Sequence, residues 1–512
     1  MYYTQSLHRA VQQRPNAAAS VFNGRRRTFA QFADRVARLA GALQSLGMRH
    51  GDRVAMLGLN SDRYMEYTFA VPWGGGALNP VNFRWHANEI AHSLTDSDTQ
   101  ILLVDDPFTE IFGELTAPGT PLRVVVYAGD GAAPEGMLSY ETLIATHQPA
   151  HDARRNGDDL LGLFYTGGTT GFPKGVMLSH ANLLIDALAI NGEGFPTPGG
   201  TYLHLAPMFH LADLTNSTIE WLQGATHVMM SAFSPRALVE VIEAERVTDV
   251  LLVPTMLQMV LEHPVMAEGH DLSSLRKIIY GTSPIAETTL DRALAAFPNA
   301  QFFQAYGMTE LGSIATMLPP RDHTPEGRVA GRVRSAGRAT FCSEVKIVDE
   351  AGNEVPRGTV GEVIVCGPTV MLGYWHKPGS TAEAIRNGWM HTGDAGYMDD
   401  GGYVFIVDRI KDMIITGGEN VYSAEVENAL AQHPAVAASA VIALPDERWG
   451  ERVHAVVVAR PGVAVDAQTL IEHCQARLAK YKCPRSVDFI DELPLSGAGK
   501  TLKSDLRSRY RQ

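Results

Sequence analysis

Cysteine is scarce in this chain. Cys342, Cys366, Cys474 and Cys483 are four among 512 residues. No two stand in a Cys-x-x-Cys pair and none sits in a histidine cluster, which argues against a disulfide framework or a zinc site and for reduced thiols in a cytoplasmic protein. A basic surplus is also missing. The 43 Lys and Arg against 56 Asp and Glu leave a net charge of −13, the wrong sign for a protein whose main partner is nucleic acid. No apolar run approaches the length that spans a bilayer. The opening Met1–Ser6 has neither the basic nor the apolar region of a signal peptide, and Arg509–Gln512 is not a peroxisomal address. No internal repeat is present. Arg25-Arg26-Arg27 is the one notable basic run, expected as a solvated strand end or hairpin, with weak peripheral membrane contact as the alternative reading.

What remains is an ordinary apolar and charged composition (45% and 19%) in a chain long enough for more than one domain. Thr28 to Gln31 reads as a capping box, with Phe32, Val36, Leu39, Leu43 and Leu46 at helical spacing and Gly47 closing the helix. Short apolar strands recur at Val54–Leu57, Ile101–Val104, Val124–Val126, Tyr202–Leu205, Val250–Val253, Lys277–Tyr280 and Gln301–Gln304. Alternation of such strands with helical patterns predicts an α/β fold with a largely parallel sheet. Loops of small and polar residues follow several of them, among them Gly281–Pro284 and Tyr306–Glu310. At the carboxyl ends of parallel strands such loops can converge on one crevice. From Ser335 to Gly367 alternating strands with turn residues predict an antiparallel or barrel-like section. A small α/β tail of roughly a hundred residues follows Asp408, a plausible domain by size.

The densest chemistry lies in Tyr165-Thr-Gly-Gly-Thr-Thr-Gly-Phe-Pro-Lys-Gly175. Glycines let backbone N–H groups approach a ligand, and inward-turned N–H groups make a nest for anionic oxygen that Thr166, Thr169, Thr170 and Lys174 can complete. A flexible surface turn uses the same residue types. It is not a Walker loop, because Pro173 precedes Lys174 and Gly175 follows it. Val176–Leu178 reads as strand, so the loop is expected between strands and not at a helix start.

Taken together with Gln304–Glu310, His391-Thr-Gly-Asp394, Asp408-Arg409 and Pro494–Lys500, in that order, this stretch resembles the acyl-adenylate-forming superfamily, which includes acyl- and aryl-CoA synthetases, peptide-synthetase adenylation domains and firefly-type luciferases. The resemblance covers nearly the whole chain, with Gly168 where many members carry serine. It implies a large N-terminal domain, residues 1–408, of parallel-sheet α/β subdomains plus the barrel-like section, and a small mobile lid, residues 409–512, hinged near Lys411. It implies ATP and CoA as cosubstrates and Mg²⁺ on Glu310. ATP contacts are expected from Thr166, Gly167, Gly168, Thr169, Thr170, Gly171, Lys174, Gly281, Thr282, Ser283, Gln304, Ala305, Tyr306, Gly307, Met308, Thr309, Asp394, Ile406, Arg409 and Lys500. Thr309 would bind the α-phosphate, Asp394 the ribose hydroxyls, and Lys500 the α-phosphate and acyl oxygens. Gly417, Gly418 and Glu419 would serve CoA, the glycine pair leaving room for a pantetheine arm.

In the acid pocket the resemblance puts His210 at a gate position, with Ala212, Asp213, Leu214, Gly281, Gly307 and Met308 around it. Plant hydroxycinnamate ligases carry tyrosine where Ala212 stands, so a medium- or long-chain fatty acid is expected first and an aryl or short functionalised acid second. Asp213 either turns away from the ligand or selects a polar acid. A luciferase-like oxygenase shares these motifs. A non-catalytic relative would be expected to lack Lys500, Glu310 or Asp394, and all three are present. The partners expected are the acid, ATP and CoA, with a homodimer left open.

Overall fold

The computed structural model describes residues 1–115, 120–166, 173–283, 285–496 and 501–510. Two large, mostly parallel sheets make the body of the protein. In one, the strands run in the order Arg338–Ala339, Thr316–Leu318, Gln301–Tyr306, Lys277–Gly281, Asp249–Leu251, Thr201–His204, Thr226–Met229, Ala18–Phe22 and Arg25–Thr28. The five from Gln301–Tyr306 to Thr226–Met229 pair in parallel. In the other, Leu160–Thr166, Ala77–Pro80, Arg53–Leu57, Ile101–Val104, Val124–Tyr127 and Leu138–Ser139 are parallel neighbours. Lys174–Ser179 is added antiparallel to Leu160–Thr166. These strands are short and rich in Val, Ile and Leu because both faces of a parallel sheet are covered. Leu57, Leu103, Leu163, Leu203, Ile278 and Ile279 are all buried.

Helices reach these sheets through the caps that the sequence signals. Thr28 Oγ1 accepts from the Gln31 backbone N–H while the Gln31 side chain accepts from the Thr28 N–H, and the helix Phe29–Ser45 follows. Ser179 and Asn182 cap His180–Gly192 in the same reciprocal manner, and Ser61 caps Asp62–Trp73 by accepting from the Tyr64 N–H. Each such cap contributes about 1 kcal/mol.

The arginine run lies in a hairpin, as expected, with Arg26 exposed, but Arg25 and Arg27 are turned to an internal partner. It forms the strand Arg25–Thr28, and Arg25 and Arg27 both reach the fully buried Asp62, while Arg26 pairs with Glu245. An anion taken out of water needs such partners.

Glu344–Val348, Gly361–Cys366, Trp389–Met398 and Val404–Arg409 form an antiparallel sheet, whose first two strands lie in the Ser335–Gly367 section where turn chemistry predicted one and whose last two lie beyond it. Beyond it, Ile414–Thr416, Glu419–Val421, Val436–Asp446, Gly450–Ala459 and Ser486–Phe489 build a separate sheet with its own apolar cluster, including Ile414, Val426, Val441, Val453 and Leu470. This last unit touches the body through Arg460 on Glu262 and through the Gln258 side chain, which donates to Ala437 O. No described helix is long and apolar enough to cross a membrane.

Candidate active site

Three strands of the parallel run in the first sheet bring the expected loops to one edge. Thr201–His204 runs into Ala206–His210, Lys277–Gly281 into Thr282-Ser283, and Gln301–Tyr306 into Gly307–Glu310. All three leave at strand carboxyl ends, where α/β sheets bind ligands. The approach is close. A Cβ on Gly281 would lie 2.1 Å from Ala305 O, and one on Gly307 would lie 2.0 Å from Ser313 O, so neither position accepts a side chain. Thr282 has φ of +66°, a left-handed conformation that a β-branched residue adopts only when its surroundings impose it. Its hydroxyl is buried without a hydrogen-bond partner.

Tyr306 and Asp394 meet from different sheets. The Tyr306 hydroxyl donates to Asp394 Oδ2 at 2.7 Å, and Arg409 Nε stands 3.2 Å from Asp394 Oδ1. Asp394 and Arg409 face each other across Trp389–Met398 and Val404–Arg409, in which Ile406 pairs with Gly396. Burial, then the Asp394 charge, pushes the Tyr306 phenol well above its ordinary range, so it stays a donor. A carboxylate held by a phenol and a guanidinium is oriented to accept from a vicinal diol. Beside it, the Gln304 side chain accepts from the Tyr280 hydroxyl at 3.3 Å.

Glu310 lies in the short 3₁₀ turn Thr309–Leu311, with Met308 preceding it, and is buried. Its Oε1 accepts from the Tyr374 hydroxyl at 2.9 Å. Tyr374 belongs to a short strand paired with Lys174–Ser179, and Lys174 Nζ lies 5.1 Å from its ring centroid and 3.2 Å from Ser380 Oγ. Tyr374 thus ties the carboxylate to the base of the glycine-rich hairpin. Sequence reasoning did not find it, since a lone tyrosine 64 positions from Glu310 carries no local signal. The hairpin itself joins two antiparallel strands, Thr166 opposite Lys174, as expected. Gly167, Gly168, Thr169, Thr170 and Gly171 lie outside the described residues. No group of three or more His, Cys, Asp or Glu able to hold a metal occurs among the described residues. The buried Glu310 carboxylate, tied through Tyr374 to the strand Lys174–Ser179, is of the hard oxygen type that would suit Mg²⁺, which keeps waters and takes much of its shell from substrate phosphates.

His210 caps the helix Leu211–Leu222, its Nδ1 accepting from the Ala212 N–H at 3.2 Å. Ala212 and Ala305 pack on an apolar cluster of Ala187, Ile190, Ile279, Phe303 and Ile314, and Leu214 and Met308 pack against the larger core. Asp213 does not face the crevice with its neighbours and takes the first of its two expected courses. It is 1% exposed and turned into the core, where its Oδ2 accepts from His204 Nδ1 at 2.8 Å. The loop behind the pocket is pinned by Asp186, which accepts from the Ile314 N–H at 3.3 Å, and by Thr215, which donates to Gly312 O at 3.1 Å. Burial raises the Asp186 carboxyl well above the usual range, so it stands there neutral.

Lys500 lies outside the described residues, but its loop is bounded. Leu495 and Thr501 form a bridge, and Ser496 O accepts from Arg84 at 3.2 Å. The neighbouring Phe83 packs edge-on against Phe209, next to His210. The described flank of the lysine loop therefore stands on the His210 side of the crevice. Lys411 occupies a 3₁₀ turn, Ile410–Asp412, and is exposed. Gly417 and Gly418 turn the hairpin between Ile414–Thr416 and Glu419–Val421 with φ of +61° and +85°. A Cβ on Gly417 would also press into the Trp449 ring at 2.9 Å, so hairpin geometry accounts for glycine there before any ligand is considered.

A carboxylate held between a phenol and a guanidinium, a buried glutamate and the glycine-rich stretch between two antiparallel strands are the features that comparison with known proteins places in a class. The chain belongs to the AMP-binding enzyme family, whose model matches residues 7–375, followed by the AMP-binding enzyme C-terminal domain over residues 425–500. Among its relatives, a feruloyl-CoA synthase of Amycolatopsis is 42% identical, covering 98% of both chains. The fatty acid–[acyl-carrier-protein] ligase ScoC of Streptomyces coeruleorubidus is 40% identical over 99% of this chain and 96% of its own. The crystal structure of ATP-bound MatB from Rhodopseudomonas palustris superposes with a TM-score of 0.89 at 30% identity, covering 100% of this chain and 99% of that one.

Proposed function

We propose that the protein is an ATP-dependent acid–CoA ligase that converts a medium- or long-chain fatty acid to acyl-AMP and pyrophosphate, then to acyl-CoA and AMP. The observation that carries the fatty-acid reading is the orientation of Asp213. With that carboxylate turned to His204 and Ala212 set against Ile190, Ile279, Phe303 and Ile314, the pocket wall is apolar and suits an alkyl chain. The feruloyl-CoA synthase relative supports a second reading, an aryl acid on the same wall.

In the first half-reaction a carboxylate oxygen attacks the α-phosphorus and pyrophosphate leaves. Charge accumulates on phosphate oxygens, so oriented donors and positive charges lower the barrier. Lys500 and Thr309 would bind the α-phosphate, the Thr166–Lys174 hairpin the outer phosphates, and His210 the carboxylate. Mg²⁺ on Glu310 and the phosphates would neutralise charge. Asp394 with Arg409 would hold the ribose, and Tyr306 with Gly281–Ser283 the adenine. In the second half-reaction the CoA sulfur attacks the acyl carbon, and AMP leaves with the bridging oxygen. Residues 409–512 would act as a cytoplasmic enzyme's lid, turning at Lys411 so that Gly417–Glu419 replaces Lys500. The test is an acid panel read as AMP release with and without CoA. Turnover of C8–C18 fatty acids above ferulate and benzoates supports the first reading; turnover of aryl acids alone replaces it with the second.

A further inference from the structure

Asp213 has no task in the reaction outlined above, yet it is built into a closed circuit. Its Oδ2 accepts from His204 Nδ1 at 2.8 Å, and His204 Nε2 lies 2.8 Å from His227 Nδ1. The two imidazoles are wholly buried on adjacent parallel strands, Thr201–His204 and Thr226–Met229. His227 stacks on Trp221 at 4.5 Å and 17°, and Trp221 belongs to the last turn of the helix whose first turn carries Asp213. The circuit therefore leaves the helix at one end, crosses two strands and returns at the other. Burial, then the neighbouring His204, holds the His227 imidazole well below its ordinary range and so neutral. Asp213 Oδ1, His227 Nε2 and Trp221 Nε1 are buried without a hydrogen-bond partner, so the two bonds through His204 are what hold these groups in one arrangement, and losing either would leave further polar atoms unsatisfied in the core.

That arrangement bears directly on His210. The Asp213 N–H donates to His210 O at 3.0 Å, and the His210 imidazole is itself fixed by the Ala212 N–H. Asp213 thus grips the first helical turn by its backbone and the sheet by its side chain. An apolar residue would fill the same space and keep the backbone bond but lose the side-chain link to the sheet, leaving the first turn, and His210 at its cap, with one anchor fewer. We propose that Asp213, through His204 and His227, is a positioning residue that sets where the His210 imidazole stands over the acid carboxylate. The inference rests on the role given to His210 in the proposed function.

The test is a double-mutant cycle in the full-length protein, followed by pyrophosphate exchange with saturating ATP and varied acid. Asp213→Leu should lower kcat/KM for the acid at least tenfold and leave KM for ATP within threefold. Asp213→Asn, whose amide oxygen can still accept from His204, should restore most of that loss. In a His210→Ala background Asp213→Leu should cost nothing further. Additive losses, an equal rise in KM for ATP, or an Asn variant as impaired as the Leu variant would overturn the proposal. Should Asp213→Leu not fold, Asp213→Ser, which shortens the acceptor's reach, takes its place in the cycle. A second readout does not depend on which acid is used, or on any being used. In ¹³Cε1-histidine spectra the signal lost in His210→Ala should shift in Asp213→Leu and return in Asp213→Asn. An unmoved His210 signal refutes the positioning role even if every acid tested is inert, whereas a shifted one with inert acids would count against the proposed reaction alone.

Discussion

Asp394→Asn should weaken ATP use with little effect on the acid. Asp394 is 8% exposed, and its two oxygens are already committed to the Tyr306 hydroxyl at 2.7 Å and Arg409 Nε at 3.2 Å. Its backbone N–H donates to Thr392 Oγ1 at 3.0 Å, so the side chain leaves the strand at a fixed angle. An asparagine keeps the shape but loses the charge, and it turns one acceptor into an N–H₂ donor facing a phenol or a guanidinium that also donates. Hydrogen bonds to a charged group are worth about 1.5–3 kcal/mol, so losing that assistance should raise KM for ATP roughly 10- to 100-fold. Tyr306→Phe removes only the orienting bond and should cost less, about 1 kcal/mol or roughly fivefold. Both variants can be followed by pyrophosphate exchange with CoA omitted, varying ATP and acid separately, and by thermal melts that exclude misfolding. KM for ATP within twofold of the parent in folded Asp394→Asn, or a rise in KM for the acid instead, would mean that this carboxylate does not hold the nucleotide.

Lys500→Ala should abolish pyrophosphate exchange yet largely preserve CoA consumption from preformed acyl-AMP, and Lys411→Pro should do the reverse. A 3₁₀ turn at Lys411 has φ near the proline value, so proline is compatible with the present state and blocks rotation out of it. Equal loss of both activities in both folded variants would count against a two-state lid. Ala212→Phe should raise KM for long acids at least tenfold while sparing short ones; an unchanged chain-length profile would remove Ala212 from the pocket wall. Stability should fall with acid, because burial holds His180 and His323 at about 4 instead of 6.5. Their folded values lie below the unfolded one, so the stability they contribute is present above pH 6.5 and lost as pH falls through 4, by about 3 kcal/mol each. Asp249, held up to about 6 by burial, acts in the opposite sense as pH rises from about 4 to 6. Urea titrations at pH 7, 5.5 and 4.5 should show His180→Gln with a shallower pH dependence than the parent; an identical slope would mean that His180 is protonated in the folded state.

Local chemistry was legible from the sequence, and long-range pairing was not. The Thr28 cap, the short apolar strands and the strands flanking the glycine-rich stretch each rest on residues a few positions apart, and each recurs in the structure. The direction of a side chain depends on which strand lies behind it. Asp213 reads as a polar residue beside an apolar pocket until the strand ending in His204 is known to run beneath its helix. Arg25 and Arg27 read as solvated until Asp62 is seen under them, and Tyr374 gains meaning only when its strand pairs beside Glu310. The glycine pair at Gly417–Gly418 was read as clearance for a ligand, whereas the hairpin and the Trp449 ring already call for it. Motif order carried the family because it samples several such places at once.

The central claim is that the acid is activated as an adenylate before it meets the thiol, and the fate of one oxygen tests it most directly. The protein is given Mg²⁺-ATP, CoA and a C12 or C16 fatty acid labelled with ¹⁸O in both carboxylate positions, and the products are weighed by mass spectrometry. Attack of the carboxylate on the α-phosphorus followed by thiol displacement predicts AMP carrying one ¹⁸O, unlabelled pyrophosphate and acyl-CoA retaining the other. Label in inorganic phosphate with ADP as the nucleotide product, or unlabelled AMP alongside acyl-CoA, would contradict it.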